Sequence, residues 1–163
     1  MDRTERFYKI TQLLESRRVV PLSTLIEDLG ARLEEARNID GRMTLMVFEI
    51  ECCNCGDAEI WAHAFQKGYL ALVQSGRFGR NTDFICAREP SQIVLLGAVK
   101  QAHVDALRRR LAEQVESTYR AVDPDLEVSV HAACAAAPDD GADAESLLEE
   151  VLTRLVAERR IAA

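Results

Sequence analysis

Apolar residues recur along this chain with two different periods, and the switches between them mark out its elements. Over 4–17, Phe7, Ile10, Leu13 and Leu14 fall at helical spacing with charges between them, which predicts an amphipathic arm. After the break at Val20-Pro21, Leu22, Leu25, Ile26, Leu29, Leu33 and Ala36 share one face of a second helix that ends near Asp40-Gly41. That stripe needs a surface to cover. The run MTLMVFEI (43–50) is almost continuously apolar and rich in strand formers, which suits a buried central strand. Beyond the turn CCNCGD, Ile60, Trp61, Ala64 and Phe65 mark one face of a helix, and the chain loosens from Gly76 to Gly79. Two short strand-like runs, 83–87 and 93–96, are joined by REPSQ and predict a hairpin. A helix over 101–119 turns Val104, Leu107, Leu111 and Val115 inward and leaves Arg108, Arg109 and Arg110 near solvent. LEVSVHAACAA (126–136) alternates as a strand, 139–143 is a polar loop, and Leu147, Leu148, Val151, Leu152 and Leu155 line a closing helix over 144–160.

From residue 43 onward the order is strand, helix, strand, strand, helix, strand, helix. The first six elements spell the split βαββαβ unit. The predicted fold is therefore α/β: a ferredoxin-like sandwich with a central antiparallel sheet and extra N- and C-terminal helices. The 163 residues support one compact core and not comfortably two. The expected organisation is a helical arm, 1–19, followed by one domain, 20–163. Many unrelated functions use this architecture, so the fold by itself assigns none.

Composition narrows the classes. With 48% hydrophobic residues, 8 Gly and 4 Pro, the chain has the make-up of a globular protein rather than a disordered one. A formal charge of −7 argues against broad attraction to nucleic acid or anionic membrane, although a local arginine cluster still suits a small anionic ligand. No apolar run approaches a membrane span and the opening MDRTERFYKI is charged, so a cytoplasmic location without membrane insertion is expected. The 5 cysteines are expected as reduced thiols. Cys52, Cys53 and Cys55 have no second cluster at zinc-finger spacing, so no metal site is expected there even with His63 nearby. His131 is expected as a packed or edge histidine.

Several landmarks together resemble the GGDEF family of nucleotide cyclases. Val20 to Leu25 (VPLSTL) is similar to that family's D-x-L-T-G-L opening, and Phe48 to Glu51 (FEIE) resembles the end of its first strand. The stretch from His131 to Asp143, with Leu147 and Leu148, resembles its late strand, loop and last helix. The resemblance implies the nucleotide-cyclase form of the ferredoxin-like sandwich. At the family's signature turn the chain departs: Glu89-Pro90-Ser91-Gln92-Ile93 stands where G-G-D-E-F is expected. Glu89 brings a negative charge toward substrate phosphates, Pro90 fixes φ, and Ser91 cannot replace a hard anionic ligand for Mg²⁺. Glu49 resembles the remaining metal ligand, and Glu49 and Glu51 are expected as leftover strand-end carboxylates. Asn54 and Asp57 lie near the positions that grip guanine, and something like Arg159 replaces a phosphate-contacting lysine. The resemblance therefore implies no catalytic residues, no metal and no cofactor, and an inactive domain.

What the resemblance retains is an inhibitory-site motif. Arg80-Asn81-Thr82-Asp83 matches R-x-x-D at the family's offset from the hairpin. An arginine fork donates two parallel hydrogen bonds to guanine O6 and N7, and a carboxylate accepts from the N1–H and N2–H₂ edge. The expected ligand is cyclic di-GMP, held by Arg80 and Asp83 with a further arginine, Arg109 or Arg110, from the next helix. Signalling is then expected to pass through a protein partner, or through a homodimer built on the N-terminal helix. The alternative reading is a DNA-binding regulator, because residues 1–30 resemble the first two helices of a winged helix-turn-helix. A basic recognition helix should follow. The continuation ARLEEARNIDG instead carries three acidic residues, which makes nucleic acid the weaker expectation.

Overall fold

A computed structural model describes residues 22–38, 42–80, 83–88 and 90–162. The arm 1–19 and the start of the expected domain at Val20-Pro21 lie outside the described residues. The chain runs α1 (Leu22–Asn38), β1 (Met43–Cys52), α2 (Ala58–Gln74), β2 (Phe84–Arg88), β3 (Gln92–Gly97), a 3-10 turn (Gln101–His103), α3 (Val104–Val122), β4 (Val128–Ala137) and α4 (Ala144–Ala162). The four strands make one antiparallel sheet in the order β2-β3-β1-β4. This is the predicted βαββαβ sandwich, with β1 inside the sheet pairing Val47 with Val94 on one side and with Ala133 on the other.

Strand alternation sorts the apolar side chains into two cores. Leu45 and Val47 of β1 face Leu25, Leu29 and Leu33 of α1 together with Leu147, Val151 and Leu155 of α4. Met46, Phe48 and Ile50 face the opposite way, against Phe65, Tyr69 and Leu72 of α2 and Leu111, Val115 and Tyr119 of α3. Each such buried side chain contributes roughly 1.5–3 kcal/mol of transfer free energy. The stripe of α1 has thus found its surface inside the domain. Its leucines are engaged in the core and are not those of a free helix-turn-helix, which counts against the DNA-binding alternative.

Local chemistry fixes the ends of the elements. Asp57 caps α2, its Oδ1 accepting from the backbone N–H of Glu59 at 2.8 Å and of Ile60 at 3.3 Å. The helix stops where Gly76 takes φ 67°. On the outer side of the sheet, β4 offers carbonyls to three arginines: Arg108 to Ala132 at 3.2 Å, Arg120 to Val128 at 3.5 Å and Arg154 to Cys134 at 2.8 Å. Guanidinium donors close an edge that would otherwise invite another strand. Arg108 is consequently half-buried rather than near solvent, and it also meets Glu158 at 3.4 Å. Two predicted boundaries move as well. Residues 101–103 form a 3-10 turn ahead of α3, and Asp83 belongs to the turn before β2 instead of the strand. No helix among the described residues is long and apolar enough to cross a membrane.

Candidate functional site

The link between α2 and β2 is fixed by glycines rather than loosened by them. Gly79 takes φ 75°, and a β-carbon there would stand 2.9 Å from Ile85 Cδ1, so both conformation and space call for glycine just before Arg80. Asp83 then donates its N–H to the Arg80 carbonyl at 3.0 Å, and Arg80 donates its own N–H to Asp83 Oδ2 at 2.7 Å. The side chains meet across the same turn, with Arg80 Nη2 3.1 Å from Asp83 Oδ1 and Nε 3.4 Å from Oδ2. Arg80 Nη2 also donates to the carbonyl of Ala98 beyond β3. The carboxylate rests on Gly97, where a β-carbon would be 2.3 Å from Oδ1.

The motif is therefore assembled, but its two members differ in access. The Arg80 side chain is 57% exposed and that of Asp83 only 6%. Of the two residues expected to meet a guanine, Asp83 has its oxygens engaged by Arg80 and covered, so it holds the guanidinium in place. A base edge reaches that carboxylate only if Arg80 releases it.

Arg80 opens onto a cleft of about 980 Å³ between the start of the sheet and the first turns of α3. Arg42, Arg77, Arg80, Lys100 and Arg110 line it with His103, and Asp83 is the single carboxylate among the lining residues. Leu95, Val99, Leu107 and Leu111 supply an apolar floor. Arg42 is anchored to Asp139 at 3.0 Å and to Gln101 Oε1 at 3.0 Å. The 3-10 turn and α3 start at the cleft, which adds partial positive charge from a helix N-terminus. Of the two expected arginines, Arg110 faces the cleft, whereas Arg109 is exposed on α3 and is not part of its lining. Arg42, Arg77, Lys100 and His103 were missed by sequence reasoning, because they sit on separate segments that only the fold joins. Gly97 was missed too, and its neighbour at the end of β3 gave no signal of what it accommodates.

The other end of β1, about 30 Å away at the usual rise per strand residue, carries what would be the catalytic hairpin. Pro90 and Ser91 turn the chain between β2 and β3; the Pro90 carbonyl accepts from Trp61 Nε1 at 3.1 Å and the Ser91 carbonyl from Ile50 N–H at 2.9 Å. Glu89 lies outside the described residues. Asn54 donates Nδ2 to the Asp125 carbonyl at 2.7 Å and accepts from Glu127 N–H at 2.9 Å, so it pins the approach to β4, while Asp57 is used as the α2 cap. Neither side chain is free for a base. Glu49 and Glu51 are both bonded to Arg159, and His131 on β4 lies 3.4 Å from Glu51. Cys52 and Cys55, spaced as a C-x-x-C pair, direct their thiols to Asn54 Oδ1 at 3.3 Å and the Asp57 carbonyl at 3.5 Å. Among the described residues no group of three His, Cys, Asp or Glu is placed to hold a metal ion. The Mg²⁺ that active members of the resembled family bind does not fit the donors present: Glu49 is held by a guanidinium and Ser91 offers no carboxylate.

No protein-family model matches the chain, and no curated protein matches its sequence. Solved structures do. A sensory box/GGDEF family protein from Caulobacter crescentus superposes with a TM-score of 0.62 at 14% identity, over 85% of this chain and 92% of that one. The coiled coil and GGDEF domain of DgcB from the same organism, solved in complex with c-di-GMP, gives 0.61 at 16% identity, over 96% and 86%. Diguanylate cyclase SiaD from Pseudomonas aeruginosa, solved with its activator SiaC, gives 0.60 at 12% identity, over 96% and 65%. The chain therefore has the fold of GGDEF diguanylate cyclase domains.

Proposed function

We propose that the chain is a catalytically inactive GGDEF-like receptor that binds cyclic di-GMP in the cleft at Arg80 and signals through a protein partner. The observation that carries this reading is the cleft itself: five cationic side chains and one covered carboxylate surround an apolar floor, on a chain whose net charge is −7. Such a lining suits a ligand with two phosphates and flat aromatic bases. Arg80 is the principal contact, oriented by Asp83, and Arg110 reaches the ligand from α3; Arg109 is exposed on the neighbouring surface. DgcB, with the same fold, was solved with c-di-GMP, which supports the ligand, and SiaD was solved with a protein activator, which supports partner signalling. The arm 1–19 is the proposed contact for that partner or for a second copy.

Loss of synthesis is supported at the far end of the sheet, where Pro90, Ser91 and the Arg159-bound Glu49 replace a phosphate-binding turn and its metal ligands. Calorimetric titration of cyclic di-GMP tests the receptor reading. Wild type should bind and Arg80→Ala should lose at least about tenfold, since a bidentate guanine contact is worth about 1–3 kcal/mol. Equal affinity in both proteins would remove Arg80 from the site. Incubation with GTP and Mg²⁺ should yield no cyclic dinucleotide, and turnover would contradict the inactive assignment.

A further inference from the structure

The cleft at Arg80 is rich in donors for phosphate and poor in groups that tell one purine from another. Arg80 Nε donates to Asp83 Oδ2 at 3.4 Å and Nη2 to Oδ1 at 3.1 Å, which spends the side edge of the guanidinium. Nη2 donates again to the Ala98 carbonyl, which spends half of the end edge. Three of the five N–H donors are thus in use, and no parallel pair is left. Guanine O6 and N7 require such a pair. What Arg80 still offers is Nη1, on a side chain 57% exposed. Its two diverging N–H groups suit separate acceptors such as phosphate oxygens.

The carboxylate is equally committed. Asp83 Oδ2 also accepts the backbone N–H of Arg80 at 2.7 Å, and a β-carbon on Gly97 would stand 2.3 Å from Oδ1. Turning Asp83 toward the N1–H and N2–H₂ edge of a guanine would therefore break the turn that positions Arg80 as well as the ion pair. Asp83 is the single carboxylate among the described lining residues, and His103, whose imidazole both donates and accepts, favours neither base. Arg42, Arg77, Lys100 and Arg110 only donate. The apolar floor at Leu95, Leu107 and Leu111 meets any purine face alike, because apolar contact is non-directional. We propose that the cleft recognises the two phosphates and flat faces of a cyclic purine dinucleotide and not the identity of its bases, so that an adenine dinucleotide binds much as the guanine one does. The inference rests on the receptor reading and widens its ligand class.

Calorimetric titration of the full chain with cyclic di-GMP and, separately, with cyclic di-AMP tests it. Arg80→Ala weakens binding whichever ligand atoms the guanidinium meets, so the comparison of bases decides. A bidentate contact to guanine separates the two purines by roughly five- to hundredfold, and wild type should instead bind the two dinucleotides within about fivefold of each other. A larger preference for cyclic di-GMP would overturn the proposal. Asp83→Asn, which loosens the guanidinium, should weaken both ligands by the same factor; a loss confined to cyclic di-GMP would mean that the carboxylate reads the base, and would also overturn it. The wild-type comparison carries the proposal if Asp83→Asn does not fold. Binding of neither dinucleotide would remove the receptor reading and this inference together, whereas binding of cyclic di-GMP alone would remove the inference and leave that reading standing.

Discussion

A β-carbon on Gly97 would stand 2.3 Å from Asp83 Oδ1 and 3.4 Å from Arg80 Nη2, so an alanine there must push the carboxylate off the strand and release the guanidinium it holds. Gly97→Ala is therefore expected to keep the fold and weaken cyclic di-GMP binding about fivefold or more, part of the 1–3 kcal/mol of an oriented guanidinium contact. Calorimetry beside a circular dichroism spectrum checks both halves of that statement. Asp140 behaves differently. Its carboxylate is held below the usual range by the N–H of Ala136 at 2.8 Å and by Arg154 at 2.9 Å, although partial burial works the other way. A folded-state pKa below the unfolded one means that the stabilisation is complete above about pH 4, the unfolded value. It is lost as acid protonates the folded carboxyl. Asp140→Asn should accordingly be less stable than wild type at pH 7, and urea midpoints of the two proteins should converge as pH falls below about 4.

Packing between α2 and α3 is close where Gly68 meets Tyr119. Tyr119 lies over Gly68, where a β-carbon would be 2.3 Å from the ring, and its hydroxyl donates to the Phe65 carbonyl at 2.6 Å. Burial pushes that hydroxyl far above its ordinary pKa, so it remains a protonated donor. Gly68→Ala should cost about 1–3 kcal/mol by overpacking, read from the urea midpoint, and should leave cyclic di-GMP affinity unchanged because the cleft uses the N-terminal end of α3, up to Leu111, and Tyr119 lies about two turns further on. At this scale the sequence was largely legible. The near-continuous apolar run 43–50, the alternation in 126–136 and the helical stripe at Leu25, Leu29 and Leu33 report burial directly, and burial is what the fold satisfies. Boundaries were less so: Asp83 looked like strand because Phe84 and Ile85 follow it, yet its bond to Arg80 N–H makes it a turn residue. Arg108 looked like solvated helix surface because nothing local shows that the carbonyls of β4 need donors.

Across the whole molecule the net charge of −7 and the basic cleft point in opposite directions. Composition averages over the surface, whereas the cleft gathers Arg42, Arg77, Arg80, Lys100 and Arg110 from four stretches of chain. The Arg80-x-x-Asp83 spacing marked the place, but the remaining cations carry no pattern of their own, and the role of Asp83 depends on Gly97, fourteen positions on. A lining of this kind binds its anion partly through long-range charge. Affinity for cyclic di-GMP should therefore fall several-fold between about 50 and 500 mM NaCl, as the Debye length contracts from more than 10 Å to less than 5 Å. An affinity indifferent to salt would mean that the cations of the cleft are not engaged. Where the ligand sits is read most directly from amide and indole shifts of ¹⁵N-labelled protein titrated with cyclic di-GMP. The account predicts changes concentrated at Gly79 to Asp83, Gly97 to Lys100 and Arg110, with the indole N–H of Trp61 unmoved; changes confined to Trp61 and the β2-β3 turn, or none at saturating ligand, would contradict it.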